Sequence, residues 1–183
     1  MKYSYVLFFL LSMTSILVQA APHPGMGSSL LSRPESSAVY AKYQFQFQPG
    51  DSWSWQKDPK DLRKDSFQFS FFSNPDLRLH LQVQNLEKNI SFDHYIKQWM
   101  KDYPSFGLDI QGAKPFTENE SKGLVIDLRY PSQKKTLRQS IFKNSRLAVT
   151  ITCSSPEEQS NKMIQECNQV IKTFRWLNKS AIE

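Results

Sequence analysis

Cys153 and Cys167 are the only cysteines in the chain, and in an oxidising compartment they could form a disulfide. Strand parity places Cys153 with Leu147, Val149 and Ile151. Helical spacing places Cys167 with Met163, Ile164, Val170, Ile171 and Phe174, so both thiols face inward. A helix opening at Ser155 would carry Cys167 roughly 15 Å along its axis, whereas a disulfide tolerates a Cα separation of about 7 Å. The bond therefore needs a helix that begins late or crosses the strand end obliquely. Otherwise the two are buried thiols acting as small apolar residues. Their spacing is not that of a CxxC redox pair.

The remaining chemistry-bearing residues do not assemble in the sequence. His23, His80 and His94 are too scattered for a ligand set: His23 is near the N-terminus, His80 alternates outward between Leu79 and Leu81, and His94 lies on an amphipathic stretch. No metal site and no cofactor are expected. No serine sits in a nucleophile-elbow sequence, and Asp109 and Asp127 would meet only by accident of the fold. With no nucleophile, base and orienting group to combine, no catalytic residue is assigned, and the chain reads as a non-enzyme.

A basic run offers more. Arg129, Lys134, Lys135, Arg138, Lys143 and Arg146 occur with no acidic residue between Asp127 and Glu157. They gather around two adjoining hairpin turns. If both turns lie at one end of the sheet, Arg129, Lys134, Lys135, Lys143 and Arg146 form a patch for docking on a protein or an anionic envelope polymer. The plain alternative is solvated turns with lysines guarding sheet edges. Nucleic acid is not an expected partner, because the chain reads as exported and shows no binding motif.

Export rests on residues 1–20, which have the pattern of a cleavable signal peptide: Lys2, then apolar runs from Tyr5 to Leu11 and Met13 to Val18, then small residues ending at Ala20. Cleavage there leaves no membrane-spanning segment and places the product in the periplasm or outside the cell. Residues 21–38 are rich in Pro, Gly and Ser and read as a flexible leader. A single domain is expected over 39–178, followed by a short tail, 179–183. The formal net charge of +6 weakly favours anionic partners. Sequons at Asn89, Asn119 and Asn178 would matter only in a eukaryotic secretory pathway.

Alternation predicts strands from Tyr40 to Phe47, around Trp53 and Trp55, and over Phe67/Phe69/Phe71 and Leu77/Leu79/Leu81/Val83, the last two joined by a turn at Ser73–Asp76. Lys57 to Asp65 reads as a charged loop. Ser91 caps a helix bearing Phe92, Tyr95, Ile96, Trp99, Met100 and Tyr103, ended by Pro104. Gly123–Tyr130 and Thr136–Phe142 pair so that Leu128 meets Leu137, Leu124 meets Ile141 and Asp127 faces Arg138, in a salt bridge worth under about 1 kcal/mol if exposed. A strand from Leu147 to Cys153 follows. Ser155-Pro156-Glu157-Glu158 then has the form of a capping box opening the last helix. Together these elements describe an α+β fold, an antiparallel sheet of about five to seven strands packed with helices.

The ending AVTITCSSPEEQSNKMIQECNQVIKTFRW, Ala148 to Trp176, and the central helix SFDHYIKQWMKDYP, Ser91 to Pro104, resemble the PsbP-like superfamily, whose exported bacterial members include DcrB. The resemblance covers about residues 39–176. It implies an α/β/α sandwich and a binding or assembly role rather than catalysis. No functional residue of the photosynthetic members matches a position here, so their metal-related roles do not carry over. The combined expectation is an exported, non-enzymatic binding or accessory protein of a bacterial envelope. The alternatives are a small-molecule carrier with an aromatic wall of Trp53, Trp55 or Trp99, and an enzyme whose pocket the sequence does not reveal. An apolar cavity between sheet and helix would favour the carrier.

Overall fold

The computed structural model describes residues 44–55 and 66–177. The expected signal peptide, leader, Val39 domain start, strand positions 40–43, charged loop from Lys57 to Asp65, His23, Asn178 and tail lie outside the described residues. So does the side chain of Trp55.

Among the described residues, nine strands and two α-helices follow one another as β1 (Phe45–Gln46), β2 (Trp53–Trp55), β3 (Ser66–Phe71), β4 (Asn74–Asn85), α1 (Phe92–Lys101), β5 (Asp109–Glu118), β6 (Ser121–Tyr130), β7 (Lys135–Asn144), β8 (Leu147–Pro156), α2 (Ser160–Ile171) and β9 (Arg175–Trp176). Seven strands form one antiparallel sheet in the order β2-β3-β4-β8-β7-β6-β5, and β1 pairs with β9. The fold is α+β, as the sequence pattern implied.

Parity divides the sheet into two faces. Leu77, Leu79, Leu81 and Val83 of β4, with Val149, Ile151 and Cys153 of β8, pack against Met163, Cys167, Val170 and Ile171 of α2. Phe45, Phe142 and Phe174 complete this layer, with the Phe142 and Phe174 rings stacked at 3.8 Å between centroids. On the other face Tyr95, Ile96 and Tyr103 pack against Ile126, Leu128, Ile141 and Ala148. Each apolar set alternates with the other along a strand, which is why one central sheet carries a helix on each side.

The register of β6 with β7 is the expected one, with Leu124↔Ile141, Asp127↔Arg138 and Leu128↔Leu137 paired. Several local features differ from the sequence reading, and α1 ends at Lys101, so that Tyr103 lies beyond it. The β3–β4 reversal occurs at Phe72 and Ser73, because Asn74 already pairs with Phe71. A further strand, β5, pairs with β6 along Asp109–Glu118. And Ser155 does not cap a helix: its hydroxyl donates to the Pro156 carbonyl, while Ser155 and Pro156 stay paired with Thr136 and Lys135 in the sheet. Pairing with β7 thus outcompetes the capping-box pattern, a short 3-10 turn intervenes at Glu157–Gln159, and α2 starts only at Ser160. That late start meets the geometric condition for the disulfide. Cys153 and Cys167 are bonded, with Cα atoms 6.0 Å apart.

Helix α1 begins as its sequence implied: the Ser91 hydroxyl accepts from the His94 backbone N–H at 3.2 Å. Its position over the sheet is set by polar contacts as well as by packing. The Tyr95 hydroxyl donates to Gln84 Oε1 at 2.9 Å. Trp99 Nε1 and the Tyr103 hydroxyl both donate to Gln139 Oε1. The helix is thereby anchored above β4, β8 and β7.

Candidate functional site

Successive turns of an antiparallel meander fall at opposite ends of the sheet, and this separates the expected basic patch. Lys134 and Lys135 lie at the β6–β7 turn, whereas Lys143 and Arg146 lie at the β7–β8 turn, the full ten residues of β7 away. At about 3.3 Å per residue that is roughly 30 Å. Arg129, Lys134, Lys135, Lys143 and Arg146 therefore do not share one surface. Several of the cations are also engaged locally. Arg129 donates to Glu157 through Nε at 2.6 Å and Nη2 at 3.3 Å, and this bond raises the Arg129 pKa and lowers that of Glu157. Lys143 Nζ donates to Asn89 Oδ1 at 3.2 Å and to the Ser145 carbonyl. Arg138 is turned to the α2 face, where it grips Asp127 through Nε and Nη2 at 2.7 and 2.8 Å and reaches Asn168 with Nη1. Arg146 borders a shallow 270 Å³ recess with Asn85, Asn144 and Trp176.

Among the described residues no cluster of three or more His, Cys, Asp or Glu could hold a metal. Asp109 is opposite Arg129 on β5, and Asp127 is held by Arg138, so these carboxylates are not a pair. His80 faces away from the Leu79/Leu81 layer, as its alternation implied. Its Nε2 hydrogen-bonds the Ser66 hydroxyl across β3 and β4, and burial lowers its pKa below 6.5. A serine–histidine contact was not anticipated, because the diagonal register of two strands brings them together rather than any motif.

A larger recess than the one beside Arg146 lies elsewhere. Helix α1 covers Ile126 and Leu128 of β6 but stops short of the turn end of the β5–β6 hairpin, which it leaves uncovered on the same face. The result is a groove of about 690 Å³ between Phe92, Asp93, Ile96 and Lys97 of α1 and the strand segments 115–117 and 122–124. This lies within the range of about 300–1,000 Å³ usual for ligand clefts. Its surface is mainly carbon: Phe92, Ile96, Pro115 and Leu124, with Lys97 on one wall and Lys122 on the other. On the opposite, α2 face of the same strands, Gly123 lets the Phe116 ring lie across the strand, since a Cβ there would come within 2.6 Å of it. Of these residues the sequence marked the apolar positions of α1 and the strand positions Gly123 and Leu124, but none of them as a site. Neither Trp53 nor Trp99 lines the groove: Trp53 is buried edge-on to Phe71, and Trp99 is half-buried beside Tyr95.

No protein-family model matches this chain, and no curated protein matches it. Among solved structures it is similar to cyanobacterial PsbP (CyanoP) from Synechocystis, with 12% identity over 74% of this chain and 88% of that one and a TM-score of 0.56. It is also similar to a protein of unknown function from Pseudomonas aeruginosa, with 10% identity over 66% of this chain and 94% of that one and a TM-score of 0.53. At these identities the likeness concerns the fold alone, and that fold is the PsbP-like one.

Proposed function

We propose that this PsbP-like chain is an exported, non-enzymatic binding protein of a bacterial envelope, and that it holds its ligand in the groove between α1 and the β5–β6 hairpin. The observation that carries the reading is the groove itself, an apolar recess between helix and sheet whose titratable lining is confined to Asp93, Lys97 and Lys122. Such a lining suits binding and offers no nucleophile with an adjacent base. The Ser66–His80 contact lies across the sheet from it, with β8 and β7 between β4 and β6. Docking through a single basic surface has less support, because the turn lysines are divided between the two ends of β7. Export is supported by the apolar N-terminal pattern and by the Cys153–Cys167 bond, which is of a kind that persists in oxidising compartments. Among the described residues no helix is long and apolar enough to cross a membrane.

The test is native mass spectrometry of the protein recovered from its own envelope fraction, beside two variants. Thr117→Trp fills the groove from an exposed strand position, and Gln82→Trp adds the same bulk on exposed β4. The wild type and Gln82→Trp should carry a bound species that Thr117→Trp lacks. Retention by all three, or by none, would overturn the reading.

A further inference from the structure

Resting on the groove as the binding surface, we infer that its ligand is a single-chain anionic amphiphile of the long-chain carboxylate class. The floor and walls present Phe92, Ile96, Pro115 and Leu124, against which an acyl chain would leave water at about 25 cal/mol per Å². The polar lining of the groove is cationic in balance, with Lys97 from the helix and Lys122 from the strand against the single acid Asp93. Two lysines facing from opposite walls suit a head carrying one negative charge. A neutral or cationic head would forgo that attraction.

The strand beside the groove argues against a peptide as occupant. Asn119 and Glu120 both have positive φ, 46° and 63°, and form a two-residue turn between the partners Glu118 and Ser121. In such a hairpin the flanking pair is hydrogen-bonded, so Phe116 and Lys114 also bond across to β6, and the intervening Pro115 is set with its missing N–H on the outer edge. An added strand would find no donor at the centre of β5. A second copy docking edge to edge would meet the same gap.

The experiment is a calorimetric titration of the full chain with sodium dodecanoate, kept below its micelle-forming concentration, beside dodecyltrimethylammonium and dodecyl maltoside. Amide NMR shifts locate the binding. Dodecanoate should bind saturably, with shifts concentrated at residues 92–97 and 115–124. The cationic chain and the double variant Lys97→Glu/Lys122→Glu should each lower affinity at least tenfold; both lysines are exposed, so the variant should fold. Affinity that ignores the headgroup, shifts centred elsewhere, or no saturable binding would each overturn the inference. Should native mass spectrometry show a species lost from Thr117→Trp while dodecanoate fails to bind, the groove stands as the binding site and only this ligand class falls.

Discussion

Cys153, three residues before the end of β8, is bonded to Cys167 of α2, 14 residues further on, across a Cα separation of 6.0 Å. Both residues are fully buried in the layer between α2 and the sheet. The bond ties the chain at the strand-to-helix corner, where only a 3-10 turn at Glu157–Gln159 separates the two elements.

Closing a loop of this length restricts the unfolded chain by about 3 kcal/mol in the chain-entropy account. The variant Cys153→Ala/Cys167→Ala should accordingly lose about 2–4 kcal/mol of stability in urea. Adding reductant should move the wild-type transition to that of the variant and leave the variant unmoved. A wild-type midpoint indifferent to reductant would show that the bond does not contribute.

Arg138 is only 14% exposed and Asp127 37%, so their pairing is stronger than the exposed salt bridge that the register alone suggested. The contact is bidentate, and Asn168 of α2 takes the remaining guanidinium edge. Removing the carboxylate leaves a largely buried cation with one neutral partner. Asp127→Ala should cost about 1–3 kcal/mol. A double-mutant cycle with Arg138→Met should give a coupling of about 1 kcal/mol or more. A coupling near zero would return the pair to the class of solvated surface bridges.

The sequence made the β6–β7 register legible, because a short loop and a two-residue side-chain period leave little freedom once Leu124, Leu128, Leu137 and Ile141 must share a face. Strand β5 was not legible for the converse reason. Its residues from Asp109 to Lys114 are exposed on both faces, so no apolar period marks them, and Gly112 and Pro115 resemble loop residues. Pro115 is admissible there only because β5 is an edge. Ser155-Pro156-Glu157-Glu158 has the composition of a helix start, but hydrogen-bonded pairing with β7 holds the first two residues in the sheet. The groove depends on where α1 lies across the strands, which Gln84 and Gln139 help to fix through hydrogen bonds between residues far apart in sequence. No local pattern encodes that placement.

Burial holds the His80 pKa below 6.5, so the unfolded chain takes up a proton at a higher pH than the folded one. Stability associated with neutral His80 is therefore complete above about pH 6.5 and is lost as the pH falls through the lowered folded value. His80→Gln keeps a polar partner for the Ser66 hydroxyl and removes the titration. Urea unfolding between about pH 7 and pH 5 should show a shallower decline for the variant than for the wild type. Parallel slopes would assign the acid sensitivity to other groups.

Gly123 and Phe116 meet on the α2 face of the sheet, behind the strands that line the groove. They are cross-strand partners, and the Phe116 ring lies over the glycine and meets Phe142 edge-on at 5.3 Å between centroids. A Cβ at position 123 would come within 2.6 and 2.8 Å of that ring and 2.9 Å of the Ile141 carbonyl oxygen. The ring can swing aside; the carbonyl belongs to the paired strand and yields only if β6 and β7 separate. Gly123→Ala should thus cost about 1–3 kcal/mol by overpacking. Phe116→Ala should relieve part of it, so the double variant should be less destabilised than the sum of the single ones, with a residue left by Ile141. Strict additivity in urea would mean that the ring does not rest on Gly123.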